Sequence, residues 1–196
     1  KEITTVYPGK YGVRIASEFT FLNIMEEVDR EGEYYIDKKN MKMYVYSSDI
    51  TDTADIKLSI AGNPIIDLDG ASYITFENMR IGFGRGLGVN LNNSHDIEIL
   101  GCDLFCLGEK AIQAANEPND LYNIPAAERG VRNLEIRSNN IFEIGKGAML
   151  ISGGDRNNLI SGGINIENNQ IYRYTRLRAD DGIKIYGVGN RMAHNK

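Results

Sequence analysis

The residues best placed to move protons or hold charge lie in Arg176-Leu177-Arg178-Ala179-Asp180-Asp181-Gly182. Adjacent carboxylates can share a proton or split their pKa values, which suits general acid–base chemistry. If the chain is extended there, Asp180 and Asp181 point to opposite sides, so they need not form a working pair. Asp155, in Gly153-Gly154-Asp155-Arg156, is the candidate second member, because it falls in a comparable insertion one repeat earlier. Two carboxyl groups about 5.5 Å apart, or about 6.5–9.5 Å apart, are what hydrolysis of a glycosidic bond needs. Arg156, Arg176 and Arg178 could clamp an acidic group or orient a carboxylate. Lys184 could act as a base beside the aspartates, and His194 could point into a groove. The competing reading is a solvated Asp-Gly turn for Asp180 and Asp181, and an ion pair fastening the insertion for Asp155 and Arg156.

Other charged positions read as weaker. Glu77 and Glu109-Lys110 are single charges at corners, which a solvated face explains, and His95 reads as a loop residue. Two histidines so far apart in sequence give no metal site. Cys102 and Cys106, the only cysteines, fall on one face of a strand about 13 Å apart and read as small buried thiols rather than a disulfide. No nucleophile triad, phosphate loop or dinucleotide fingerprint is present, and Gly82-Phe83-Gly84-Arg85-Gly86 resembles a phosphate loop in composition only.

Something must hold these residues. The 196-residue chain carries net charge −5, which argues against nucleic acid as a partner. No apolar run is long enough to span a membrane. The 21 glycines and many asparagines mark repeated sharp corners. From Ile65 onward the chain repeats, with units opening at Ile74, Ile97, Leu134, Ile164 and Asn190. Each unit has two or three short alternating runs separated by Gly or Asn. Insertions fall near 116–130, 152–162 and 174–181. A coil of about 22–25 residues with three short strands is a solenoid unit, which buries its inward face only by stacking. Asn139, Asn169 and Asn195 share one repeat position, where Met79 and Cys102 stand earlier, and should stack as an amide ladder. Leucine-rich repeats have a similar period but need helices that no unit here shows.

The expected fold is therefore all-β, a right-handed parallel β-helix. Residues 1–60 are expected to be an N-terminal cap with a short helix over Phe21–Asp29 and a β-hairpin from Glu33–Asp37 and Lys42–Tyr46. A further strand is expected at Ile56, Leu58 and Ile60, and Tyr34, Tyr35, Tyr44 and Tyr46 form a candidate aromatic surface. Residues 61–196 are expected to be solenoid coils, cut short inside a repeat at Lys196.

The segment Met25–Asp37 resembles the entrance sequence of many bacterial right-handed parallel β-helix repeat proteins, followed by a hairpin like Met41–Tyr46 and an opening like Ile66–Glu77. Ser152–Arg156 and Tyr186–Asn195 are similar to later stretches of the same carbohydrate-active group, which includes glycoside hydrolases and polysaccharide lyases. The resemblance implies a secreted protein, at the cell surface, in the periplasm or extracellular, acting on a polysaccharide or oligosaccharide as a monomer. It implies a hydrolase ahead of a lyase or a non-catalytic glycan-binding solenoid. No cofactor is expected for a hydrolase, while Ca²⁺ would be possible for a lyase.

Overall fold

The computed structural model describes residues 21–51, 56–115 and 131–196. The chain divides into two compact units, Lys1–Ile56 and Lys57–Lys196.

In the first unit, β1 (Tyr34–Asp37) and β2 (Lys42–Val45) pair antiparallel, with Tyr34 opposite Val45 and Asp37 opposite Lys42. Asp37 builds the turn by accepting hydrogen bonds from the Lys39 and Asn40 amides and from Asn40 Nδ2. Such local bonding is why Asp and Asn favour turns. Tyr34, Tyr44 and Tyr46 are exposed, and the Tyr35 and Tyr44 rings lie 6.2 Å apart. The expected helix shrinks to one 3-10 turn, Met25–Glu27. Asn23 adopts a left-handed backbone, and its side chain exchanges two hydrogen bonds with the Ile36 backbone. That clasp fixes the segment beside β1, and a single turn without a buried apolar face cannot propagate.

The second unit is all-β, and its strands form three separate parallel sheets. Sheet I contains β4 (Ser72–Glu77), β7 (His95–Leu100), β10 (Arg132–Arg137), β14 (Asn165–Glu167) and β17 (Arg191–Ala193). Sheet II contains β5 (Arg80–Gly84), β8 (Asp103–Leu107), β11 (Asn140–Ile144) and β15 (Gln170–Tyr172). Sheet III contains β3 (Ile66–Asp69), β6 (Val89–Asn92), β9 (Ile112–Ala114), β12 (Met149–Asp155) and β16 (Ile183–Gly187), with β13 (Ile160–Ser161) folded back antiparallel on β12. The chain visits III, I and II in rotation, an arrangement consistent with a β-solenoid. Ile56, Leu58 and Ile60 do not form the expected strand; they are exposed and lie outside every sheet. The insertion expected at 116–130 lies outside the described residues.

Alternation explains the core. Phe76, Ile99, Ile136, Ile166 and Met192 are register partners along sheet I, as are Ile81, Leu104, Ile141 and Ile171 along sheet II. Val89, Ile112, Met149 and Ile183 continue the pattern on sheet III. Ile99, Leu104, Ile136 and Ile141 are fully buried, whereas Ile74, Phe76, Ile171 and Ile183 in the outer coils are partly exposed. Each fully buried aliphatic contributes about 1.5–3 kcal/mol, so the middle coils carry most of the stabilisation.

The corner between sheets I and II is held by amides. Asn139 Nδ2 donates to Asn169 Oδ1 at 2.9 Å, and Asn169 Nδ2 to Asn195 Oδ1 at 2.9 Å. Each of the three also donates to a carbonyl of the sheet I strand in the coil before it: Ile99, Ile136 or Ile166. The Cys102 amide closes the row by donating to Asn139 Oδ1. Cys102 and Cys106 are free thiols, buried and half-buried respectively.

Candidate functional site

Two charged regions occupy different parts of the second unit. The first is the corner between sheets II and III, which contains the sequence-expected Asp180, Asp181, Arg176, Arg178 and Lys184. The loop after β15 is knitted to the coil before it. Amides of Thr175, Arg176, Leu177 and Arg178 donate to the carbonyls of Lys146, Ile144 and Gly145. Arg173 and Arg176 both pair with Glu143, at 2.7 and 3.3 Å. Arg178 is exposed, and its backbone anchors the loop.

Asp180 turns inward at this corner, its side chain only 15 % exposed, and meets Lys184 Nζ at 2.7 Å and Lys110 Nζ at 3.8 Å. Lys184 also reaches the exposed Asp181 at 3.0 Å. Lys110, read from sequence as a solvated corner charge, is 5 % exposed. Glycine is required at 147, because a Cβ there would collide with the Asp181 carbonyl and lie 3.1 Å from Asp180 Cγ. Lys146 pairs with Glu109 on the same corner. Burial pushes the Asp180 carboxyl up, but the Lys184 hydrogen bond, the Asp181 amide and the nearby ammonium charges outweigh it and hold it below the usual range. The Lys184 ammonium is pushed well above its ordinary value by hydrogen bonds to Asp180 and then Asp181.

The sequence reading took Asp180, Asp181 and Lys184 as candidates for acid–base chemistry, and the structure places all three at this corner. Asp180 and Lys184 form an ion pair in which each partner favours the charged form of the other. Lys184 Nζ lies within 3.0 Å of both aspartates, so an ammonium already matches their charge. Among the described residues, no group of three or more His, Cys, Asp or Glu could hold a metal ion. No helix among them is long and apolar enough to cross a membrane.

Asp155 does not join this corner. It ends β12, whose opposite end, Met149, donates to the Gly182 carbonyl beside the aspartates. A seven-residue strand at ~3.3 Å per residue separates the two ends by about 20 Å, far beyond catalytic spacing. Asp155 instead caps its own hairpin, accepting from the Asn157 and Asn158 amides and from Asn158 Nδ2. The Asn158 side chain is the main cause of its lowered pKa. Arg156 is exposed in that turn, with no ion pair to Asp155 among the described residues. His194 is exposed, with a left-handed backbone one residue before ladder residue Asn195. Asn78, Gly101, Ser138 and Asn168 repeat that conformation in the earlier coils, so position 194 serves a corner.

The second region was not singled out in the sequence. On the outer face of sheet I, Tyr73, Thr75, Asp96, Glu98, Asn133, Glu135 and Gly163 line a groove of about 450 Å³. Thr75, Glu98, Glu135, Asn165 and Arg191 are successive register partners, one from each strand of the sheet. Glu98 accepts from Thr75 Oγ1 at 2.8 Å, on the β4 side, while Glu135 accepts from Asn165 Nδ2 at 3.0 Å, on the β14 side. The two carboxylates thus bond to opposite neighbours, from strands about 4.8 Å apart. Tyr73, Asp96 and Asn133 interrupt the pairing with left-handed backbones, a bulge-like break that re-aims their side chains. Tyr73 is 81 % exposed. Asp96 accepts from Asn133 Nδ2 at 3.0 Å and lies 2.7 Å from His95 Nδ1. These two contacts, His95 first, hold the Asp96 carboxyl below its usual range. His95, expected in a loop, begins β7, and its ring meets Tyr73 edge-on at 5.7 Å. The available signal was the repeat itself: Glu98 and Glu135 occupy one outward position in Ile-Glu-Ile and Leu-Glu-Ile.

Comparison with protein-family models, curated proteins and solved structures returned no match in any of the three.

Proposed function

We propose that the chain forms a right-handed parallel β-helix of the carbohydrate-active group, acting outside the cytoplasm, and that it hydrolyses glycosidic bonds in the sheet I groove. The observation that carries this reading is the register pair Glu98 and Glu135 beside the exposed Tyr73. Register partners on strands ~4.8 Å apart can bring their carboxyl groups to the roughly 5–9.5 Å separations over which paired carboxyl groups cleave glycosides. An aromatic ring offers a sugar an apolar face and a polar edge. A glycan lying along the stacking direction meets a new coil every ~4.8 Å, close to the length of one pyranose unit in an extended chain. One glutamate would protonate the leaving oxygen while the other acts as base or nucleophile.

The hydrolase reading is favoured over a lyase because Lys184, the base a lyase could use, is locked between two aspartates. The test is incubation with a panel of plant, host and microbial glycans, following reducing ends and the ultraviolet absorbance of unsaturated uronates together. Reducing ends without absorbance, lost in Glu98→Gln and Glu135→Gln, are expected. Absorbance would indicate a lyase. Binding without products would indicate a non-catalytic solenoid.

A further inference from the structure

The donors and acceptors of the groove are unevenly spent. When ionised, its carboxylates are hydrogen-bond acceptors only, with two oxygens each. The Thr75 hydroxyl is committed to Glu98, and the Asn133 amide to Asp96. The Asn165 amide is committed to Glu135, and Arg191 is drawn to Asn165 and Glu167 at 3.0 and 2.7 Å. Arg137 stands 3.6 Å from the Glu135 oxygen that Asn165 already uses. One oxygen of Glu98 and one of Glu135 thus keep acceptor capacity beyond the hydrogen bonds described, and among the described residues no Lys or Arg lines the groove, Arg137 reaching Glu135 at 3.6 Å from outside that lining. A ligand that fits must bring donors and must not bring acceptors that carry charge.

We propose, building on the hydrolase reading of this groove, that it selects amino-sugar glycans carrying free protonated amines. An ammonium offers three donors and no acceptor, whereas an N-acetyl group replaces them with one N–H and a carbonyl. A uronate adds an anion to a site bounded by Asp96, Glu98 and Glu135, where like charge is repelled. Charge-assisted contacts to a carboxylate are also shorter and stronger than neutral ones.

The test is calorimetric titration of three oligomers of equal length: 2-amino-2-deoxyglucose, its N-acetylated form and a uronic acid. The free-amine oligomer is expected to bind about tenfold more tightly than the N-acetylated one, with the uronate weakest. Added salt should shrink that advantage. The Glu98→Gln, Glu135→Gln double variant keeps side-chain shape at an accessible face, and its fold is checked by thermal melting. It should erase the preference, so that the free-amine and N-acetylated oligomers bind it within about twofold of one another. Equal or tighter binding of the N-acetylated oligomer overturns the inference, as does absence of binding by all three. A preference that survives in the double variant also overturns it, since attraction to the net charge of −5 would then explain the result. Hydrolysis is decided separately: a lost preference with glutamate-dependent turnover removes only the amine selectivity, whereas turnover indifferent to both glutamates removes the site.

Discussion

The groove on sheet I and the corner beside Gly147 both gather carboxylates, but they satisfy them differently. At the corner, Asp180 is matched by ammonium groups, one of them on the nearly buried Lys110, and the loop that carries it is hydrogen-bonded to the previous coil. In the groove, Glu98 accepts from the Thr75 hydroxyl, and Asp96 meets His95 and accepts from Asn133, on a face open to solvent. A carboxylate neutralised by a buried cation is a fastening. One that keeps acceptor capacity on an open face is available for a ligand. Sequence density of charge marked the first region, and the proposed function rests on the second.

The sharpest way to break this contrast is to remove the groove glutamates. Glu98→Gln and Glu135→Gln should each lower turnover about 100-fold or more with little change in melting temperature, read from steady-state kinetics and thermal unfolding. Removing a structural polar group should do the reverse. Asn169→Ala deletes the bonds that Asn169 makes to Asn139, Asn195 and the Ile136 carbonyl, and should cost about 3 kcal/mol in denaturant unfolding. Asp180→Asn removes one charged partner from Lys110 and Lys184, and should cost about 2 kcal/mol while sparing turnover.

The Asp180 contribution also has a pH signature. Its folded pKa is depressed, so the stabilisation is complete above the unfolded value of about 3.9 and fades as pH falls through the folded value. The gap between wild type and Asp180→Asn should therefore be constant from about pH 5 to neutrality and close in acid-unfolding curves below about pH 4. Asp155→Asn should have the smallest effect: a slight drop in melting temperature from the weakened hairpin turn, and unchanged turnover. A large turnover loss in that variant, or in Asp180→Asn, would return the chemistry to the sequence-expected aspartates.

The repeat was legible because its cause is local and recurrent. Ile97-Glu98-Ile99 and Leu134-Glu135-Ile136 alternate at the strand period, and Asn139, Asn169 and Asn195 recur at one position, so stacking follows from pattern. The short helix was misjudged because Leu22, Met25 and Val28 have helical spacing, while the Asn23 clasp on Ile36 outweighs propensity. The aspartate pairing was misjudged because one repeat of sequence separation says nothing about which end of a strand a residue occupies. Asp155 lies at one end of β12 and Asp180 beside the other.

Alternation, turn residues and repeat spacing by themselves determined an all-β chain of stacked short strands with an amide row at one corner. Each of those features follows from the period-2 geometry of a strand and the need of every coil to bury its inward face. Only the tertiary structure decided which charges meet. Lys110 is brought to Asp180 and Glu98 to Glu135 by stacking register across insertions of unequal length, and register is a property of neighbouring coils rather than of any one segment.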